Sequence, residues 1–99
     1  MGLRESGSVA GTSRKVQIVN KRGLHARASA KFVGAVAQME GSQVTVAKDG
    51  AEAAGGSILG LMMLGAARGD TVEIRVDGKD SETRLDELCA MIADGFGEE

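Results

Sequence analysis

Proline, tryptophan and tyrosine are absent from the 99 residues, and cysteine and histidine occur once each, as Cys89 and His25. A single cysteine rules out a disulfide framework within the chain. With a single histidine beside it, it also rules out a Cys/His zinc site built by one copy of the chain. Two phenylalanines, Phe32 and Phe96, are too few for a platform on which nucleic-acid bases stack. No apolar run approaches the ~18 residues of a membrane span, and the opening residues do not read as a secretory signal. This inventory is thin for a multi-residue catalytic machine and suits a small carrier or binding module. What remains is ordinary for one folded domain: 42% apolar and 26% charged residues.

The net charge of -2 hides an uneven distribution. Arg14, Lys15, Lys21, Arg22, Arg27 and Lys31 fall in a stretch with no acid, whereas from Glu40 onward thirteen acids face five bases. From charge alone two readings stand, a solvated basic face or a site for an anion or an acidic partner. Nucleic acid is the poorest partner, because the acidic remainder would repel a polyanion.

Residues 1–13 are rich in Gly and Ser, lack periodicity and read as a disordered tail, with one domain over 14–99. Val16 to Val19 then reads as a strand. Helical spacing of Phe32, Val33, Val36 and Ala37 predicts a helix from Ala26, closed by Gly41. Val44 and Val46 alternate ahead of Asp49-Gly50, a strong hairpin dipeptide, and Ala51 to Ala54 forms the return strand. Ser57 caps a short apolar helix that Gly65 ends. Asp70 to Asp77 alternates cleanly, with Val72, Ile74 and Val76 on one face. Asp80 or Ser81 caps a last helix whose buried stripe is Leu85, Leu88, Cys89 and Ile92. Cys89 is therefore expected to be a packed hydrophobe, not a reactive thiol. The order is β-α-β-β-α-β-α. Alternating strands bury one face only, so we expect an α+β open-faced sandwich: a four-stranded antiparallel sheet with three helices on one side.

His25 falls at the start of the first helix. There the backbone N–H groups lack internal partners and the helix dipole presents about half a positive charge. Such a place accepts an anion and disfavours imidazolium, so a neutral, nucleophilic ring is expected. The amides of Ala26 and Arg27 would form an anion cradle, and the Arg27 guanidinium offers a fork matched to phosphate oxygens. The competing reading of the same geometry is a histidine that merely caps its helix. A metal site there lacks further ligands.

Gly23-Leu24-His25-Ala26-Arg27 resembles the active-site motif of the HPr family, the histidine phosphocarriers of the bacterial phosphotransferase system. Ser57-Ile58-Leu59-Gly60-Leu61-Met62-Met63-Leu64-Gly65 resembles that family's regulatory-serine segment. The spacing of the two motifs, the Asn20-Lys21 lead-in and the Gly95-Phe96 ending resemble its nitrogen-type (NPr) branch. The family commonly has proline after the arginine, where this chain has Ala28, which implies a less rigid helix entry.

The resemblance implies a stoichiometric carrier without a cofactor. His25 would take a phosphoryl group from Enzyme I on Nδ1 and pass it to a IIA-type acceptor, with Arg27 stabilising the phosphate. Ser57 would be a second phosphorylation site, for HPr kinase/phosphorylase, its added charge weakening docking. Ile58, Leu59 and Met62 are candidates for an apolar partner contact, because a short helix cannot bury all its apolar residues. We expect a cytoplasmic monomer that binds neither membrane nor nucleic acid. The alternative is a small ferredoxin-like regulatory domain that binds an anionic metabolite at the same helix start.

Overall fold

The computed structural model describes residues 11–98. Four strands, β1 (Gly11–Gln17), β2 (Ser42–Lys48), β3 (Ala51–Ala54) and β4 (Thr71–Gly78), form one antiparallel sheet in the order β1-β4-β2-β3. Three helices, α1 (Ala26–Val36), α2 (Ile58–Met63) and α3 (Ser81–Ala93), are followed by a 3₁₀ turn over Gly95–Gly97. β4 lies between β1 and β2 and runs antiparallel to both. The expected open-faced sandwich is the observed fold.

Side-chain alternation decides which face is covered. Val72, Ile74 and Val76 of β4 and Val44 and Val46 of β2 are buried, aligned by the pairs Val44↔Val76 and Val46↔Ile74. They meet Phe32 of α1, Leu61 of α2, and Leu85, Leu88 and Ile92 of α3 in one core. Burying such a side chain fully contributes about 1.5–3 kcal/mol. Cys89 joins that core, and burial pushes its thiol above its ordinary value. The hairpin between β2 and β3 turns on Asp49 (φ 52) and Gly50 (φ 85), the pair of positive angles that matches strand twist.

Three boundaries and one capping bond differ from expectation. β1 begins at Gly11, so residues 11–13 belong to the sheet and not to a tail; residues 1–10 of that tail lie outside the described residues. Gly11, Thr12 and Ser13 pair with Asp77, Val76 and Arg75 through backbone groups, which leave no hydrophobic pattern in an edge strand. β1 ends at Gln17, and Ile18 is held instead by bonds with Asp70 O and Gly69 N, both 2.8 Å. α1 stops at Val36, well before Gly41, because Gln38 N and Met39 N bond back to Ala35 O and Val36 O in tighter turns that bury Met39. Asp80 occupies the N-cap position of α3 with φ 52, yet its side chain makes no capping bond.

Candidate functional site

The loop before α1 is shaped by Gly23. Its φ is +64, and a Cβ there would lie 2.4 Å from the Ala66 carbonyl oxygen. Leu24 N donates to that same oxygen at 3.0 Å, tying the loop to the segment that follows α2. Asn20 closes the loop from inside: it is buried, its Nδ2 donates to Gly23 O at 2.8 Å, and its carbonyl accepts from Gly23 N at 3.1 Å. His25 follows as the N-cap of α1, extended at φ -77 and ψ -178. Its carbonyl accepts from Ser29 N at 2.9 Å, the first bond of the helix.

The imidazole is fixed at both nitrogens. Arg27 N donates to Nδ1 at 3.2 Å, so Nδ1 faces the first-turn amides of a helix that has no acid in its first turn. Nε2 lies 2.8 Å from Glu98 Oε2, and both side chains are only 18–19% exposed. Asn20 Nδ2 also donates to Glu98 Oε1 at 3.2 Å. The hydrogen bond from His25, reinforced by that from Asn20 and by nearby Lys31, holds the Glu98 carboxyl below its ordinary value against the opposing effect of desolvation.

The ring borders an open cleft lined by Lys21, Arg22, His25, Arg27, Lys31, Gly97 and Glu98. Of the six bases in the early segment, four therefore converge on the histidine. The other two do not. Arg14 Nη2 reaches Asp86 on α3 at 2.6 Å, and Lys15 pairs across the sheet with Glu73 on the uncovered side. The basic stretch thus divides: four cations line the cleft beside His25, and two take structural or solvated positions.

Ser57 is the N-cap of α2, its Oγ accepting from Gly60 N at 3.0 Å. It and α2 lie outside the lining of the His25 cleft, although α2 packs directly against α1. Leu61 is buried and Leu64 packs on the core, while Ile58, Leu59, Met62 and Met63 are exposed, Leu59 by 69%. Ala28, where the resembled family commonly has proline, is fully buried in the first turn of α1.

Sequence reasoning named Lys21, Arg22 and Lys31 only as members of the basic stretch, and it missed Glu98 altogether. Lys31 is one turn beyond Arg27, so helical spacing could have placed it at the site. Glu98 is separated from His25 by 73 positions, and no local pattern connects the two.

Fold and site together define a small α+β domain with a histidine at a cationic helix start. The family model described as "PTS HPr component phosphorylation site" matches residues 12–94. The phosphocarrier protein HPr of Cupriavidus necator is 46% identical over 88 residues, covering 86% of this chain and 94% of its own. The phosphocarrier protein NPr of Shewanella violacea is 35% identical over 85 residues, with 86% and 92% covered. The crystal structure of HPr-C-His from Thermoanaerobacter tengcongensis superposes with a TM-score of 0.83 at 38% identity, covering 89% of this chain and 98% of that one. The chain belongs to the HPr family of the phosphotransferase system. An NPr relative is among its matches, as the expected nitrogen-type likeness requires, alongside HPr relatives of higher identity. No helix of the described residues is long and apolar enough to cross a membrane.

Proposed function

We propose that this chain is a phosphoryl relay in which His25 accepts the group from Enzyme I and delivers it to a IIA-type acceptor. One observation carries the reading: the ring of His25 stands at the start of α1 with Nδ1 toward the Arg27 amide, beside Lys21, Arg22, Arg27 and Lys31. In the transfer, the Nδ1 lone pair forms the new N–P bond while the donor's bond to phosphorus breaks and its electron pair stays with the donor. The charge spread over the phosphoryl oxygens then meets the first-turn amides, including those of Ala26 and Arg27, and the guanidinium. Onward delivery reverses these events, and transfer between two histidines keeps the energies of the two states close. Chemistry is complete only in the complex, because the partner fixes the in-line geometry.

Ile58, Leu59 and Met62, exposed on α2, form the apolar part of the docking surface. Ser57 is the second phosphorylation site, modified by HPr kinase/phosphorylase. A phosphate there adds about -1.5 to -2 charge at a helix start and opposes docking of an acidic Enzyme I surface. The protein acts in the cytoplasm as a monomer, and the domain extends over the described residues 11–98. The family match favours this reading over a metabolite-binding regulatory domain.

Incubation with phosphoenolpyruvate, Mg²⁺ and Enzyme I tests it. The expected product carries one phosphoryl group per chain, labile in acid and stable in base, and His25→Ala abolishes it. Label that persists in His25→Ala overturns the relay.

A further inference from the structure

Glu98 is the one acid among the described residues lining the His25 cleft, whose other charged side chains are Lys21, Arg22, Arg27 and Lys31. It is held there by several independent devices. Gly95, Phe96 and Gly97 have φ of +68, +59 and +74, a left-handed turn that swings the chain toward α1. For Phe96 this conformation is strained, and such strain persists only where the surroundings over-determine it. They do so here: the Phe96 ring is 3% exposed in the core, and its carbonyl accepts from Lys31 Nζ at 2.8 Å. The buried Asn20 then takes one carboxylate oxygen, and His25 takes the other.

These contacts determine where the ring proton resides. An ionised carboxylate only accepts, so Nε2 at 2.8 Å from Glu98 Oε2 bears the hydrogen. On the other side a backbone N–H only donates, so Nδ1 at 3.2 Å from Arg27 N bears the lone pair. Both neighbours demand one and the same neutral tautomer.

We infer that Glu98 is a positioning residue for phosphoryl transfer, holding His25 as the Nε2–H tautomer so that Nδ1 is the nitrogen that attacks and carries phosphorus. The inference rests on the relay reading and names a residue and a role beyond it. When Nδ1 binds phosphorus, the electron pair that leaves the donor's bond stays with the donor nitrogen, and no proton has to move. The ring keeps Nε2–H and becomes a phosphoimidazolium, gaining one positive charge that faces Glu98. When the group departs, the ring returns to the same neutral tautomer, ready for the next cycle. With Glu98 removed, only the longer 3.2 Å bond from Arg27 N selects the tautomer, and a neutral ring gains access to the form with its lone pair on Nε2, away from the amides.

Nitrogen NMR of the ring at mildly alkaline pH, with rates of phosphoryl uptake from Enzyme I, tests this on the full chain. Wild type is expected to show the Nε2–H tautomer alone. Glu98→Ala is expected to show both neutral tautomers and uptake slower by about 10- to 100-fold, the size of a charge-assisted hydrogen bond. Glu98→Gln keeps the side-chain shape, but with Asn20 Nδ2 donating to one of its terminal atoms the amide NH2 falls opposite Nε2. It is expected to lose the single tautomer and the rate as Glu98→Ala does, which a merely space-filling side chain would not do. A wild-type carrier whose Glu98→Ala form keeps one tautomer, or takes up phosphoryl at the same or a higher rate, overturns this inference alone. A wild-type chain that takes no phosphoryl on His25 overturns the relay and this inference with it.

Discussion

His25 and Glu98, 73 positions apart in the chain, meet at 2.8 Å between Nε2 and Oε2, while the Arg27 amide occupies the opposite nitrogen of the ring. An imidazole clasped at one nitrogen and presented at the other is a directional device, and its direction comes from the fold.

The first prediction concerns acid. The carboxyl of Glu98 is held below its ordinary value, so its contacts stabilise the folded chain above the unfolded glutamate value near 4.5. That contribution is lost as pH falls through the lowered, folded-state value. Carbon NMR of the Glu98 carboxyl is expected to show titration below that of an exposed glutamate. His25→Ala, which removes the main cause, is expected to move it upward; no movement would refute the coupling.

Replacing Arg27 tests the phosphate contact. Arg27→Ala is expected to slow transfer by about 10- to 100-fold, in line with the loss of one charge-assisted hydrogen bond, with much less change in partner affinity. Single-turnover kinetics set against titration of Enzyme I separates the two effects. Equal losses in both would make Arg27 a docking residue only.

Ser57 separates into two measurable roles. Ser57→Ala is expected to destabilise the domain by about 1 kcal/mol, because it removes the acceptor for Gly60 N. Ser57→Asp keeps an acceptor at the cap and is expected to stay folded while taking up phosphoryl more slowly. Thermal denaturation and uptake rates check the pair, and an unchanged rate in Ser57→Asp counts against regulation at this residue.

Gly23 and Leu59 give contrasting outcomes in stability. Gly23→Ala forces a Cβ against the Ala66 carbonyl at a positive φ, and a loss of about 1–3 kcal/mol is expected in urea unfolding. Leu59, by contrast, is 69% exposed, so Leu59→Asp is expected to stay within about 0.5 kcal/mol of wild type. If α2 is part of the docking surface, Leu59→Asp weakens association with Enzyme I measured by titration calorimetry; unchanged affinity removes Leu59 from it.

Local chemistry wrote much of this molecule plainly. Alternation in Val72, Ile74 and Val76 marks a strand buried on one face, because side chains on a strand point to opposite sides in turn. Asp49-Gly50 marks the hairpin because positive φ is cheap at such residues, and Ser57 marks a helix start because its oxygen accepts an otherwise unpaired amide. The edge strand was obscure for the opposite reason. Thr12 and Ser13 are held by backbone bonds that any residue makes, so their side chains record nothing.

At the site, sequence alone determined the candidate residue and its setting: a histidine ahead of a helix, followed by Arg27, in a stretch without acids. Those are relations between neighbours, fixed by dihedral preferences and unpaired amides within one turn. Only the tertiary structure decided that Arg14 goes to Asp86 and Lys15 to the uncovered face, leaving four cations around the ring. It alone brought Glu98 to Nε2, because that meeting depends on how α3 packs on β1 and β4 and where the Gly95–Gly97 turn then sends the chain. Packing geometry of this kind is the sum of many weak contacts across the whole core, and no short stretch of residues contains it.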